Sequence, residues 1–329
     1  MTSAGPARVV IRAPNWLGDV VLSLGAVRDL RAFFPHAGLS VVARPNVAAI
    51  YEAVKEVDAL LVVRSLREEV RALRGEFDLA VLLTNSFGTA LAVSLAGVGE
   101  RWGFATQGRG FLLTRKTAVP ASVRGRSQVN YYRSMLSAMG VATRDSPDSS
   151  LSCPGAWRLR GQSLLGPGQF FGLAPGAAKG DAKQWPADRF AAVADRLSHE
   201  LGAQPVLLGS AADRPAAAAV ARAMKAPVRD LCGQTELAVF VGVVSQLRCL
   251  VANDSGAMHL GAALGVPTLG VFGPTNPDET HPVGARASFI RGRAECSPCK
   301  HATCPIDHRC MTSVSPDAVV ERILQAVRS

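Results

Sequence analysis

The sequence predicts an α/β protein made of two Rossmann-like domains with parallel sheets. Three observations carry this. Short β-branched runs alternate with longer helical patterns along the whole chain, the signature of strands joined by crossover helices. The length, 329 residues, exceeds a typical single core and suits two domains of ordinary size. A segment rich in Pro, Gly and Ser, residues 151–168, lies midway and reads as the linker. The expected domains are therefore residues 1–160 and 161–329. An apolar fraction of 48% with only 6% aromatics fits an alanine- and valine-rich globular protein, not a disordered or fibrous one.

In the first half, strands are predicted at residues 9–11, 39–43, 59–63 and 79–83. The helix at 20–34 rests on Val20, Leu24, Val27 and Leu30, spaced i, i+4, i+7 and beyond, and Pro35 stops it. Residues 79–99 carry no charge, but Thr84, Asn85, Ser86 and Gly88 interrupt them. That tract reads as strand, polar loop and helix, because a membrane span would not break itself with polar residues. In the second half, strands are predicted at 170–174, 205–208, 249–252 and 268–272. Helices are predicted at 187–201, 215–224 and 236–246, with a terminal helix at the end. No short internal repeat is visible.

Charge is uneven. The formal net charge is +10, with 20 Lys/Arg against 12 Asp/Glu in residues 1–160 and 16 against 14 beyond. Residues 101–133 hold seven basic residues and no acid: Arg101, Arg109, Arg115, Lys116, Arg124, Arg126 and Arg133. Such a segment is either a solvated loop or a surface that attracts polyanions: nucleic acid, an anionic membrane face or a phosphorylated substrate. Nucleic acid is disfavoured, since no aromatic platform is interleaved and no recognition motif is present. The start, "MTSAGPARVV", shows no secretory signal, so the expected location is the cytoplasm, with peripheral contact to the inner membrane.

In open parallel sheets, ligands bind beyond the carboxyl ends of the strands. Three strand-to-helix turns there are chemically loaded. The first, "RAPNWLGDVV", places Asp19 at the mouth of a helix, where it either complements the positive helix end or acts on a bound substrate. The second, "LAPGAAKGDAKQWP", puts small residues and two lysines, Lys179 and Lys183, after a strand, which makes a phosphate cradle without a metal. It lacks Gly-Lys-Ser/Thr and so is not a P-loop. The third, "VANDSGAMHLGAALG", sets Asp254 and Ser255 at a helix start, whose unpaired amides suit a phosphate. Ser255 and His259 are four apart and share one helix face.

"PNWLGDVVLSLGAVRDLR", "PGAAKGDAKQWPADRF", "NDSGAMHLGAALGVPTLGVFGPTNP" and "CSPCKHATCPIDHRCM", in that order, run over nearly the whole chain. Together they resemble the ADP-heptose:lipopolysaccharide heptosyltransferases, glycosyltransferase family 9. Pro-Asn-Trp-x-Gly-Asp and the cysteine-rich tail are similar to the branch that adds the second heptose. One departure is Gly25, where relatives usually carry proline.

The resemblance implies a GT-B fold, two Rossmann-like domains facing a central cleft, with the acceptor on the N-terminal half and the donor on the C-terminal half. It implies inverting, metal-independent transfer from ADP-heptose to the lipopolysaccharide inner core, with no cofactor required. The second heptose, onto a heptosylated lipid A precursor, is the expected transfer. First-heptose transfer and a nucleotide-sugar epimerase of similar layout are the alternatives. Carried over by position, Asp19 matches the catalytic base and Lys183 the lysine that holds the donor phosphates. Ser255, Gly256 and His259, with Asp254, match the donor-binding block. Asp213 falls near a ribose contact and Thr235 near the adenine wall. The basic segment, Arg124 and Arg126 above all, becomes the expected docking face for an acceptor rich in phosphate and carboxylate.

Seven cysteines occur, four of them as Cys296-x2-Cys299-x4-Cys304-x5-Cys310 with His301 and His308 interleaved. The cluster is a candidate structural metal site, although its spacing is not that of a standard zinc ribbon. The other reading is reduced thiols packing a C-terminal cap.

Overall fold

The computed structural model describes residues 5–144, 148–178 and 180–328. The chain divides into two compact units, Met1–Ser149 and Ser150–Ser329.

The N-terminal unit runs β1 (Arg8–Arg12), α1 (Leu17–Phe33), β2 (Gly38–Ala43), α2 (Pro45–Glu52), β3 (Ala59–Val62), α3 (Leu66–Leu73), β4 (Leu79–Leu82), α4 (Phe87–Leu95), β5 (Glu100–Phe104), β6 (Arg115–Thr117) and α5 (Gln128–Ala138). Its sheet has the order β3-β2-β1-β4-β5-β6, paired in parallel. Val9, Val10 and Ile11 of the central strand β1 are buried. A parallel strand covered by helices on both faces reads as an unbroken apolar run, and this one does. Helix α1 packs against α2 and α5, and Val20, Leu24, Val27 and Leu30 are all buried. Buried Asp29 on α1 faces Arg133 at 3.8 Å and Arg144 at 3.9 Å, tying α1 to α5 and the segment beyond it.

The C-terminal unit runs α6 (Gly155–Leu165), β7 (Phe170–Ala174), α7 (Ala187–Leu201), β8 (Gln204–Leu207), α8 (Arg214–Ala223), β9 (Arg229–Asp230), α9 (Leu237–Val244), β10 (Leu250–Asn253), α10 (Gly256–Ala263), β11 (Thr268–Phe272), α11 (Pro277–Thr280), β12 (Ala287–Arg291), α12 (Arg309–Thr312) and α13 (Pro316–Arg328). The sheet order is β12-β11-β10-β7-β8-β9, again parallel. A core of Phe171, Leu173, Phe190, Val251, Leu269 and Val271 joins the sheet to α7 and to α13, which contributes Val319, Val320 and Ile323.

Both units thus have one topology. The first strand sits mid-sheet, two strands extend to one side, and the next three extend to the other. Chain direction across the sheet switches between β1 and β4, and again between β7 and β10. These switch points are where open α/β sheets hold ligands.

Every strand read from the sequence is present, with ends displaced by at most one residue. Four strands go unread: β5, β6, β9 and β12. β5 and β6 carry Glu100, Arg101, Arg115 and Lys116, and β9 has only two residues. Charge in β5 and β6 and shortness in β9 erase the apolar signal. The linker expectation for residues 151–168 is corrected. Residues 155–165 form helix α6, packed on α9 in the C-terminal unit, so the expected boundary at 160/161 falls inside a helix. One glycine of that segment, Gly161, serves close packing against Gly242 of α9 instead. A Cβ on Gly242 would lie 2.0 Å from the Trp157 carbonyl oxygen, and one on Gly161 would lie 2.3 Å from the Gly242 carbonyl carbon. Of the described residues, no helix is long and apolar enough to cross a membrane.

Candidate active site

In the C-terminal unit, the switch-point loops after β7 and β10 are locked together by one residue. Asn253, the last of β10 and wholly buried, accepts the Trp185 amide at 3.1 Å and donates to the Pro175 carbonyl at 2.7 Å. It pins both ends of the loop that carries Lys183. Sequence reasoning missed it, although its place directly before Asp254 at a strand end is a usable signal.

Lys183 Nζ meets Asp254 Oδ2 at 2.7 Å, with the carboxylate nearly buried. Beside this pair begins α10. Its N-cap residue, Ser255, is extended and makes no side-chain cap, so the first-turn amides of α10 keep their unpaired, positive character. Ser255 Oγ and His259 Nδ1 are buried without a hydrogen-bond partner, as is Thr275 Oγ1 in the loop after the neighbouring strand β11. A folded protein rarely leaves buried polar atoms unpaired, and when it does, a ligand is a natural explanation. Burial pushes the His259 pKa down to about 4. Lys183 and His281 add to the effect and Asp254 opposes it, so the imidazole is neutral at neutral pH. The site offers an ammonium, open helix amides, hydroxyls and a neutral imidazole, a set suited to a nucleoside diphosphate. Lys179 lies outside the described residues.

Asp213 lies in the turn after β8. Its Oδ2 accepts the Ser210 amide at 2.8 Å and the Ser210 hydroxyl at 2.7 Å, which closes the turn. Its other oxygen presses on Gly176 in the Lys183 loop, where a Cβ would come within 2.1 Å of Oδ1. Asp213 therefore sits beside the Lys183 loop, with one oxygen committed to the Ser210 amide and hydroxyl. Thr235 is half-buried between β9 and α9, just before the α9 cap.

The cysteine-rich segment straps two of these loops. Ala302 O accepts the Ala182 amide at 3.1 Å and Lys300 N donates to Pro274 O at 2.9 Å. Lys300 Nζ pairs with Glu279 at 2.6 Å, and Ser297 Oγ donates to Gly273 O at 2.6 Å. Cys296 is exposed, Cys299 and Cys304 are half-buried, and Cys310 is buried; all are free thiols. Burial pushes the Cys310 thiol pKa up, and the other three thiols add to it. Among the described residues, no group of three or more His, Cys, Asp or Glu side chains is arranged to hold a metal ion.

In the N-terminal unit, the loop after β1 is held from beneath. Arg12 pairs with Glu69 at 2.8 Å, both wholly buried, and its Nη1 donates to Ala13 O at 2.6 Å and Asn15 Oδ1 at 3.2 Å. Asn46 donates to Asn15 O at 3.0 Å. This fixes the entry to α1, where Asp19 is half-buried in the first turn. Asp19 is close enough to Tyr132 on α5 that, after burial, its charge is the next largest influence raising the phenol pKa. Across the switch point, Asn85 Oδ1 accepts from Tyr131 OH at 2.9 Å and Thr106 Oγ1 at 3.2 Å.

The reading of residues 101–133 as one basic face is corrected in part. Arg109 is wholly buried, donates to Phe104 O at 2.9 Å, and has its pKa pushed down to about 10 by that burial. Arg101 donates to Leu112 O at 2.7 Å, and Arg133 is engaged with Asp29. Arg115 stacks on Trp102 at 5.0 Å. Lys116, Arg124 and Arg126 are exposed. Basic residues in sequence cannot be sorted into structural and surface sets until the backbone carbonyls they satisfy are known.

Comparison with known proteins agrees with this arrangement. Residues 63–309 match the model of glycosyltransferase family 9 (heptosyltransferase). Lipopolysaccharide heptosyltransferase 2 of Escherichia coli K12 is 31% identical, covering 86% of this chain and 88% of that protein. Lipopolysaccharide heptosyltransferase 2 of Salmonella typhimurium is 30% identical, covering 96% and 97%. The solved structure of E. coli ADP-heptose lps heptosyltransferase II superposes with a TM-score of 0.85 at 26% identity, covering 98% of each chain. The two parallel six-stranded sheets are those of the GT-B architecture.

Proposed function

Because this chain belongs to glycosyltransferase family 9, the heptosyltransferases, we propose that it transfers heptose from ADP-heptose to the lipopolysaccharide inner core, as the second heptose. The observation that carries the donor half is the Lys183–Asp254 pair beside the uncapped start of α10, with Ser255, His259 and Thr275 left unpartnered. Glycosyl transfer builds negative charge on the departing diphosphate. Lys183 and the amides at Ser255 and Gly256 meet that charge in a site whose dipoles are already oriented. No divalent ion is needed for this grip. The acceptor hydroxyl is a poor nucleophile, and Asp19 takes its proton as the new bond forms. Attack from the face opposite the diphosphate inverts the anomeric carbon. Asp254 orients Lys183, Asp213 and Thr235 border the nucleoside, and Arg124 and Arg126 meet the acceptor's phosphates and carboxylates. The relatives favour transfer over isomerisation of the sugar nucleotide. The work is done in the cytoplasm, on an acceptor in the inner membrane.

The test is mass-resolved transfer from ADP-heptose to acceptors bearing zero or one heptose, with and without EDTA. Product from the one-heptose acceptor alone, undiminished by EDTA, is expected. Product from the acceptor lacking heptose reassigns the enzyme to the first transfer. Loss of product in EDTA overturns the metal-independent grip.

A further inference from the structure

The solvent face of α4 breaks the usual pattern for a surface helix. Its sequence, FGTALAVSL, contains no charged residue, while Thr89, Ala90, Ala92 and Val93 already fill the buried side. The outer side shows Phe87, 40% exposed, half-buried Gly88 and Ser94, and Leu95, 55% exposed, while half-buried Leu91 between them packs on the core. The neighbouring α3 shows Arg67, Glu68 and Arg71 to solvent, as a water-facing helix should. Against α4 packs the single 3-10 turn Arg109–Leu112. Its Phe111 is 74% exposed and the most exposed large apolar side chain described, with its ring 6.0 Å from that of Phe87. Single exposed apolar residues are ordinary, but a contiguous aromatic and aliphatic strip on an uncharged helix marks a contact surface.

Its border is basic. A Cβ on Gly110 would sit 3.7 Å from Lys116 Cδ, so the Lys116 stem lies alongside the Phe111 turn with its ammonium exposed. No acid occurs anywhere in residues 101–133. A second copy of the chain, docked by two-fold symmetry, would bring the Lys116 ammonium towards its own equivalent. An anionic lipid surface complements both features: apolar rings enter the acyl boundary while lysine stays at the headgroups.

We propose that Phe87, Leu95 and Phe111, with Lys116, form a docking surface for anionic lipid on the N-terminal unit. This rests on the proposed function in one respect: a lipid-linked acceptor gives the surface its use. The strip begins at Phe87, directly after the Thr84–Ser86 turn at the β4 end of the switch point. The bilayer would thereby be held next to the acceptor end of the sheet.

The experiment is co-sedimentation of the full chain with phosphatidylcholine vesicles, with and without phosphatidylglycerol. Binding that requires phosphatidylglycerol is expected. F87S/F111S should weaken it by roughly tenfold or more, and K116E by about fivefold or more. Leu159→Ser, at a lone exposed leucine of the C-terminal unit, should leave it unchanged. Turnover of a deacylated, water-soluble acceptor should stay at the parent level in F87S/F111S, which also shows that the variant folds. Equal binding by F87S/F111S and parent, binding without phosphatidylglycerol, or the same loss in Leu159→Ser overturns the surface. So does self-association of the parent that F111S abolishes, since the partner would then be a second copy. Vesicle binding without heptose transfer to any acceptor would sink the proposed function and leave the surface standing. Transfer to the soluble acceptor without vesicle binding would do the reverse.

Discussion

The two switch points share a strand order and differ in what they expose. At β7/β10 the chain presents an ammonium, an uncapped helix start and unpartnered hydroxyl and imidazole atoms. At β1/β4 it presents a carboxylate in the first turn of α1 and an Asn85–Tyr131–Thr106 hydrogen-bonded set. Both turns exploit the positive end of a helix, with opposite results. In one, that field is left open for a ligand's anion. In the other a carboxylate, Asp19, already sits in the first turn. On the proposed function, one topology thus supplies both the donor grip and the base, and the side chains of two short loops decide which.

The sharpest way to break this contrast is to remove the base. Asp19→Asn keeps shape and hydrogen-bonding capacity but cannot accept the proton, so kcat should fall about 10²- to 10⁴-fold, with ADP affinity unchanged. Full activity in the variant would end the assignment. The complementary blow is Lys183→Ala, which should cost roughly 10² to 10³ in kcat as charge builds on the leaving diphosphate. It also strands a nearly buried carboxylate, Asp254. Lys183→Ala should therefore destabilise the fold more than the double variant with Asp254→Ala does. Denaturant titration of the single and double variants checks this, and strict additivity would show that the pair is not coupled.

Burial at the phosphate end predicts a pH dependence of stability. His259 has its pKa pushed down to about 4, from an ordinary value of 6.5. Between these values the unfolded chain takes up a proton that the folded chain refuses. Stability on this account is complete above pH 6.5 and falls as pH drops towards 4, by about 3 kcal/mol at most. His259→Gln should flatten that limb of the pH–stability curve. An unchanged limb would show that the imidazole is not held neutral.

Much of this architecture was legible because parallel strands between helices read as plain apolar runs. β7 and β11 were read to the residue, and Asp19, Lys183, Asp254 and Ser255 all fall at strand-to-helix turns on the switch points. What was not legible has specific causes. Asn253 acts through two loop contacts, and loop contacts leave no periodicity. Thr275 was visible in its motif, but only the unsatisfied burial of its hydroxyl marks it as a ligand candidate. α6 was hidden because Gly161, which allows close approach to Gly242 of α9, looks, in sequence, like a linker glycine. Arg109 was counted with the surface cations because sequence cannot show that its guanidinium is enclosed.

The smallest effect tests how the phosphate end is held in place. Gly180 has φ +106°, and a Cβ there would lie 2.2 Å from Ala302 O, the carbonyl that accepts the Ala182 amide one residue before Lys183. Gly180→Ala adds backbone strain of about 1–3 kcal/mol and pushes the cysteine-rich strap off the loop. Lys183 then spends part of its time away from Asp254, and the cost should appear as a few-fold weaker ADP binding by calorimetry. Because Lys183 also meets the leaving diphosphate, kcat should fall by a similar few-fold, far less than in Lys183→Ala. Unchanged ADP affinity together with a lowered melting temperature would mean that the strap supports the fold without placing the lysine.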